Sequence, residues 1–215
     1  MDPDAVELRV LGCLLEKQRT TPDQYPLTLN ALRLACNQAT NRDPVVDYDE
    51  ETIRGAIARL RRREWIRFAS GQGSRAAKYR QLLDQALKLD SAEQAILTVM
   101  LLRGPQTPGE LKGRTERLHP FASLADVEET IARLIERDYA ERVARRPGQK
   151  EDRFGHLLGA TEGTDSPVAR TEGTDTTVHR TEEYVPPVQT LEERVARLER
   201  DVAELRARYA ASDSA

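Results

Sequence analysis

Histidine, cysteine and long apolar runs are all scarce in this chain of 215 residues, and each scarcity removes a class of function. The histidines are His119, His156 and His179. No cysteine or acid stands near them at the spacing of a metal or catalytic set, so the chain is expected to be non-enzymatic and to need neither metal nor cofactor. Cys13 and Cys36, the two cysteines, sit inside apolar helical patterns without metal-type spacing, and buried free thiols are expected. No phosphate-cradling glycine motif occurs; "GQGS" at 71–74 reads as a turn. Apolar runs such as "AILTVMLL" fall far short of the roughly 20 residues a membrane span needs. The start, "MDPDAVELRV", is acidic and lacks a basic segment followed by an apolar one, so no secretory signal is expected and the cytoplasm is the default compartment.

What the chain does hold is charge. Charged residues make up 32% against 39% hydrophobic, enough apolar material for one or two small domains with modest cores. The net charge of -3 hides an uneven distribution. Residues 59–80 carry eight basic side chains and one acid, whereas 159–215 carry seven basic and twelve acidic groups. The basic patch is local, and the acidic surplus lies in the tail.

Two stretches repeat. "IARLRRREWIRFASGQGSRAAKYRQLL" starts at Ile57, and "IARLIERDYAERVARRPGQKEDRFGHLL" starts at Ile131, an offset of 74. Glu64-Trp65 then faces Asp138-Tyr139, and after one extra residue in the second copy Tyr79 meets Phe154. Upstream, "ELRVLGCLLEKQRTTP" matches "EQAILTVMLLRGPQTP", pairing Thr21-Pro22 with Thr107-Pro108. The first copy holds about a dozen extra residues in its middle, so the chain contains a domain duplication. Each copy reads as a helix (through Leu8, Leu11 and Leu15; through Ile96, Val99 and Met100), a second helix, and a third helix capped by Asp49 or Asp126. Ile53, Ala56, Ile57 and Leu60 form the third helix's apolar stripe, and the strand-like segments "WIRFAS" and "AAKYRQL" follow it as a hairpin. Three helices and a terminal hairpin predict two tandem winged helix-turn-helix domains, an α+β and mainly α fold, near residues 1–85 and 88–159. A generic α+β domain with a duplicated hairpin is the alternative.

Residues 160–189 repeat a Thr-, Glu- and Gly-rich decapeptide and predict a disordered linker. Over 190–210, Leu191, Val195, Leu198, Val202, Leu205 and Tyr209 alternate at spacings of four and three, the seam of a short parallel coiled coil and hence a homodimer. An amphipathic helix docked on the chain's own domains fits the same spacing.

The stretch "LGCLLEKQRTTPDQYPLTLNALRLACNQATNRDPVV", within residues 11–60, resembles the hallmark run of the YceH-like family of bacterial proteins. Leu14 to Lys17, Thr20 to Pro22, Gln24 to Leu27, Asn30, Ala35 to Gln38, Asn41-Arg42 and Pro44-Val45 carry it, and the likeness extends over about residues 5–158. The resemblance implies tandem winged-helix domains in one dimeric unit; it supplies no reaction and no ligand.

Two functions remain. If the first domain binds duplex DNA, its third helix and wing supply the cations: Arg54, Arg59, Arg61, Arg62, Arg75 and Lys78. Six phosphate contacts would give a salt slope near roughly -5. The second copy's third helix, "DVEETIARLIERD", is nearly balanced in charge. That favours the other reading, a protein-interaction scaffold in which the arginines form a solvated face. The extra segment of the first copy gathers Gln24, Tyr25, Asn30, Asn37, Gln38, Asn41 and Arg42. These either satisfy backbone groups of an irregular loop or line a polar pocket for a small molecule or peptide.

Overall fold

Helix α1 (Ala5–Thr20) begins at a reciprocal cap: the Glu7 amide donates to the Asp4 carboxylate at 2.8 Å, and the Asp4 amide donates back to Glu7 at 3.1 Å. Helix α5 (Ser91–Arg103) opens the second copy with the same device, built from Asp90 and Glu93 at 2.8 and 3.0 Å. Around these two helices a computed structural model describes residues 2–69, 77–145, 149 and 151–159, all within the compact unit Met1–Ser166. Arg75, the 71–74 turn, the 160–189 linker and the seam of Leu191, Val195, Leu198, Val202, Leu205 and Tyr209 lie outside the described residues.

Among the described residues there are seven α-helices and two small antiparallel sheets, a mixed α+β and mainly helical architecture. After α1 come β1 (Leu27–Thr28), α2 (Leu29–Cys36), α3 (Glu50–Arg62), β2 (Ile66–Phe68), β3 (Lys78–Gln81) and the single-turn α4 (Leu83–Ala86). After α5 come α6 (Pro108–Thr115), α7 (Leu124–Glu136), β4 (Ala140–Val143) and β5 (Arg153–His156). The helix–helix–helix–strand–strand order therefore occurs twice. The dozen extra residues of the first copy are distributed, with three in α1, four before α2 and five before α3.

The strongest local match between the copies is a helix stop. After α3, the Glu64 amide donates to Arg61 O and the Trp65 amide to Leu60 O, with Glu64 at φ 60°. After α7, Asp138 and Tyr139 make the same pair of bonds to Ile135 O and Leu134 O, with Asp138 at φ 56°. Both are Schellman turns carrying an acid where glycine is the residue without strain.

Two expected features are corrected. Helix α7 is capped not by Asp126 but by Ser123, whose hydroxyl accepts from the Asp126 amide at 3.1 Å while Asp126 accepts from the Ser123 amide. Asp126 is the third-position acid of that cap. Thr21-Pro22 is not the structural partner of Thr107-Pro108 either. Thr107 caps α6 with Pro108 at its first position, whereas Thr21-Pro22 opens a 3-10 turn and Thr28 caps α2. Position 28 therefore corresponds to 107, and 27 to 106. Asp49 caps α3 as its spacing implies.

The core is continuous across both copies. α1 is buried from Glu7 to Leu15 and α5 from Glu93 to Leu102, because each packs extensively against the other as well as against its own copy. A helix buried on all sides needs no polar face. Gly12 lies at the crossing: a Cβ there would stand 2.8 Å from Leu102 Cδ2 and 3.1 Å from Leu101 Cβ. Cys13 and Cys36 are free thiols buried in this core, and the hydrogen bond with Cys13 together with burial pushes Cys36 well above the ordinary thiol range.

The sheets differ between the copies. β2 and β3 pair with Ile66 opposite Gln81 and Phe68 opposite Tyr79, and β1 adds a third strand with Leu27 opposite Tyr79. In the second copy β4 and β5 pair with Ala140 opposite His156, and the third strand shrinks to one bridge between Gln106 and Phe154.

Candidate functional site

Helix α3 turns Ile53, Ala56, Ile57 and Leu60 inward, which leaves Arg54, Ala58, Arg61 and Arg62 on its outer side. Arg54 is 3.6 Å from Glu50 one turn back, a pair too exposed to fix it. The Arg61 guanidinium lies 3.8 Å above the ring of Phe68 on β2. Phe68 in turn packs on Tyr79 with ring centroids 5.2 Å apart and is 43% exposed. Arg67 is exposed beside it, and Lys78 is half-buried on β3. The structure thus brings Arg54, Arg61 and Arg62 together on one helix face, with the Arg67-Phe68 edge of the sheet next to its C-terminal half.

Arg59 points elsewhere. Its guanidinium reaches Asp4 at 2.6 Å and Glu7 at 3.1 Å, and Arg63 approaches the same Glu7 at 3.5 Å. Burial alone would weaken the Arg59 charge, but Glu7 and Asp4 outweigh it and raise its pKa. The second copy repeats the clasp: Arg133 reaches Asp90 at 3.3 Å and Glu93 at 3.9 Å, and Arg137 reaches Glu93 at 2.9 Å. Each clasp ties the C-terminal half of a third helix to the start of a first helix through a nearly fully buried glutamate.

The outer side of α7 is chemically unlike that of α3. Leu124, Ala125, Glu128, Ala132, Ile135 and Glu136 are exposed there. Acids and apolar side chains replace the cations.

The polar segment of the first copy divides into separate contacts. Arg42, its side chain without exposure, commits all five N–H groups. Nε donates to Ala35 O at 3.0 Å, Nη1 to Glu16 at 3.1 Å and Asn41 O at 2.9 Å, and Nη2 to Glu16 at 2.7 Å and Gln38 at 2.9 Å. Burial opposes the Glu16 charge, but Arg42 and Lys17 outweigh it and hold the carboxyl below its usual range. Asn37 clamps Tyr48, accepting from its amide at 2.9 Å and donating to its carbonyl at 2.8 Å. The Tyr25 hydroxyl accepts from the Gln81 amide at 2.7 Å, and burial pushes its pKa up to about 12. Asn41 accepts from Arg103, Asn30 from Arg33, and Gln24 is exposed in the 3-10 turn. Arg42, Gln38 and Asn41 meet; Tyr25, Gln24 and Asn30 lie apart from them. Among the described residues no group of three or more His, Cys, Asp or Glu comes together as a metal site, and no helix is long and apolar enough to cross a membrane.

Phe68 and Arg67 were not singled out in the sequence. Strand alternation places Phe68 on the same side as buried Ile66, yet at the end of this short edge strand it is exposed.

Residues 4–149 match the family model described as "Protein of unknown function, DUF480". A UPF0502 protein of Enterobacter sp. (strain 638) is 43% identical over 213 residues, which cover 95% of this chain and 93% of that protein. The UPF0502 protein YceH of Salmonella typhimurium (strain LT2) is 48% identical over 161 residues, covering 72% of this chain and 75% of its own. YceH of Salmonella agona (strain SL483) matches to the same extent. With likeness this long and this close, spanning both copies of the duplicated unit, the chain belongs to the YceH family, UPF0502.

Proposed function

We propose that this protein is a non-enzymatic, tandem winged-helix protein that associates with duplex DNA through its first copy. Residues 1–85 and 88–159 are the two winged-helix domains, and a C-terminal seam joins two chains into a homodimer in the cytoplasm. The observation that carries the reading is the exposed face of Arg54, Arg61 and Arg62, flanked by Arg67 and Phe68. Arginines on an accessible third helix beside a hairpin can reach backbone phosphates, and an exposed aromatic beside them adds apolar contact to sugar or base. Asp49, Glu50 and Glu51 at the start of α3 repel phosphate, so contact runs through the C-terminal half of the helix and the sheet edge. Arg59 serves the fold in this reading.

Hydrogen exchange on the full chain, with and without a short mixed-sequence duplex, tests the reading. Protection confined to α3, β2 and β3 supports it; no protection there at low salt sinks it.

The outer face of α7 favours a second reading. Leu124 is 44% exposed and Ile135 36%, and both stand among Glu128, Glu129 and Glu136. Such a face suits a protein partner rather than phosphate, and it makes the chain an interaction scaffold. In that case α7 becomes protected in a stoichiometric complex formed without DNA.

A further inference from the structure

A cavity of about 520 Å³ opens where α1, the 43–48 loop, the end of α5, α6 and the second sheet meet. That is the size of a small-molecule site. Four arginines line it, Arg9, Arg103, Arg114 and Arg153, against two acids, Asp43 and Glu110. Glu110 is already engaged, by Arg153 at 2.8 and 3.2 Å and by Arg114 at 3.7 Å. Arg9 is buried and spends two N–H groups on neutral carbonyls, Cys36 O at 3.3 Å and Pro44 O at 2.7 Å. Arg103 donates to the neutral amide of Asn41. Among the described residues neither Arg9 nor Arg103 has a carboxylate within salt-bridge distance. Burial lowers the Arg103 pKa, and the neighbouring charges of Arg114 and Arg42 lower it further. Positive charge is therefore in excess inside a partly apolar cavity that Leu8, Met100 and Val143 also line.

Among the described residues, two buried polar atoms of residues on the wall have no hydrogen-bond partner: Nδ1 of His156, a residue 8% exposed, and Oε1 of Gln106, a residue 4% exposed. The duplication shows what the first copy holds at the same positions. Gln106 corresponds to Leu27, an apolar core residue. His156 corresponds to Gln81, which is fully engaged, donating to Gln18 at 2.6 Å and accepting from the Asp84 amide at 3.2 Å. Glu110 and Arg114 correspond to Ala31 and Ala35 on α2. Relative to the first copy, the second has gained a base, an amide, an acid and an arginine in one place, and two of the added polar groups are left unsatisfied. Leaving a buried polar atom without a partner is unfavourable, because the group loses its water and gains nothing in return.

We propose that this cavity binds a small organic anion, a carboxylate or phosphate monoester carrying a hydroxyl or N–H donor. The anionic group lies between Arg9 and Arg103, the donor meets Gln106 Oε1, and His156 Nδ1 takes a second polar contact. The site draws on both copies, with Arg9, Asp43 and Tyr48 from the first and the rest from the second, so occupancy ties the copies together. The proposal stands apart from DNA association, since the α3 face contributes nothing to the cavity.

Isothermal titration of the full chain at fixed ionic strength tests this. The probes are 3-hydroxybenzoate for the carboxylate source, phenyl phosphate for the phosphate source, and 3-hydroxybenzyl alcohol as the uncharged counterpart. Saturable binding of at least one anion with Kd at or below about 1 mM, and none of the alcohol, is expected. Arg103→Gln should weaken that binding at least about tenfold, whereas Arg117→Gln, an exposed cation outside the cavity, should leave it unchanged. Gln106→Leu, which installs the residue the first copy carries there and removes the acceptor for the ligand's donor, is the second variant if Arg103→Gln does not fold, with a loss in the same direction expected. Which anion binds identifies the source. No saturation by either anion, equal binding of the alcohol, or wild-type affinity in the folded cavity variants overturns the proposal.

Discussion

His156 converts burial into a pH dependence that can be worked out in advance. Burial lowers its pKa to about 4 from the 6.5 of an open chain, because a charged ring loses its water there. The charged groups that line the same cavity are Arg9, Arg103, Arg114 and Arg153 and the acids Glu110 and Asp43. The unfolded chain therefore binds more protons than the folded one between pH 6.5 and about 4, and stability falls as pH falls through that window. From pH 7.5 to pH 5.5 the loss from this one group is about 1.3 kcal/mol, a value fixed mainly by the open-chain pKa because pH 5.5 still lies above the folded one. The depressed carboxyls of Glu16, Glu110 and Asp152 stay ionised in both states over that range and contribute little. Urea unfolding of the wild type and His156→Gln at both pH values isolates the effect, since His119 and His179 are common to both proteins. The wild type should lose about 1.3 kcal/mol more than the variant on acidification. Equal losses would mean that His156 is not held neutral by burial, and the account of the cavity wall would be wrong.

Other consequences follow from the packing. Gly12→Ala should destabilise by about 1–2 kcal/mol in thermal or urea unfolding, because its new methyl meets Leu101 and Leu102, whereas Gly113→Ala in α6, with nothing within 4 Å, should stabilise by about 0.5–1 kcal/mol. Glu64→Gly and Asp138→Gly should each raise stability by about 0.5–1 kcal/mol by relieving the positive φ at the ends of α3 and α7. Arg137→Ala, which leaves the nearly fully buried Glu93 with only the Asp90 amide and the more distant Arg133, should cost about 2 kcal/mol, less than a fully buried pair because Arg137 itself is one-third exposed. Arg59→Ala should lower the unfolding midpoint and leave any DNA affinity within about twofold, since this side chain serves Asp4 and Glu7.

The sequence was legible where a local rule operates alone. The spacing of Ile53, Ala56, Ile57 and Leu60, the Asp49 cap and the paired acid–aromatic at 64–65 and 138–139 all describe structure within a few residues of themselves. Asp126 resembles a cap in sequence because a capping box has acids or hydroxyls at both ends, and the cap itself, Ser123, stands three residues upstream. Thr21-Pro22 misled because the same dipeptide opens a helix in one copy and a 3-10 turn in the other. The third strand of the first sheet was invisible: Leu27-Thr28 is too short to alternate, and only pairing with β3 makes it a strand. The cavity was least legible of all. Arg9, Arg103, Arg114, Arg153 and His156 lie far apart in the chain, and they meet only because α1 and α5 cross. One signal of that crossing was present: the unbroken burial of Glu93 to Leu102 follows a run with almost no polar face, as expected of a helix packed on all sides.

In the proposed function Arg54, Arg61 and Arg62 meet the phosphates of a duplex. Fluorescence anisotropy of the full chain with labelled mixed-sequence duplex, at several salt concentrations, measures it directly. Binding is expected at about micromolar Kd or tighter, with a steep salt dependence whose logarithmic slope drops by about 2.7 when the three arginines are changed to alanine. A wild type that does not bind at low salt, or a triple variant with the same slope, would contradict it and leave α3 a solvated face of an interaction scaffold.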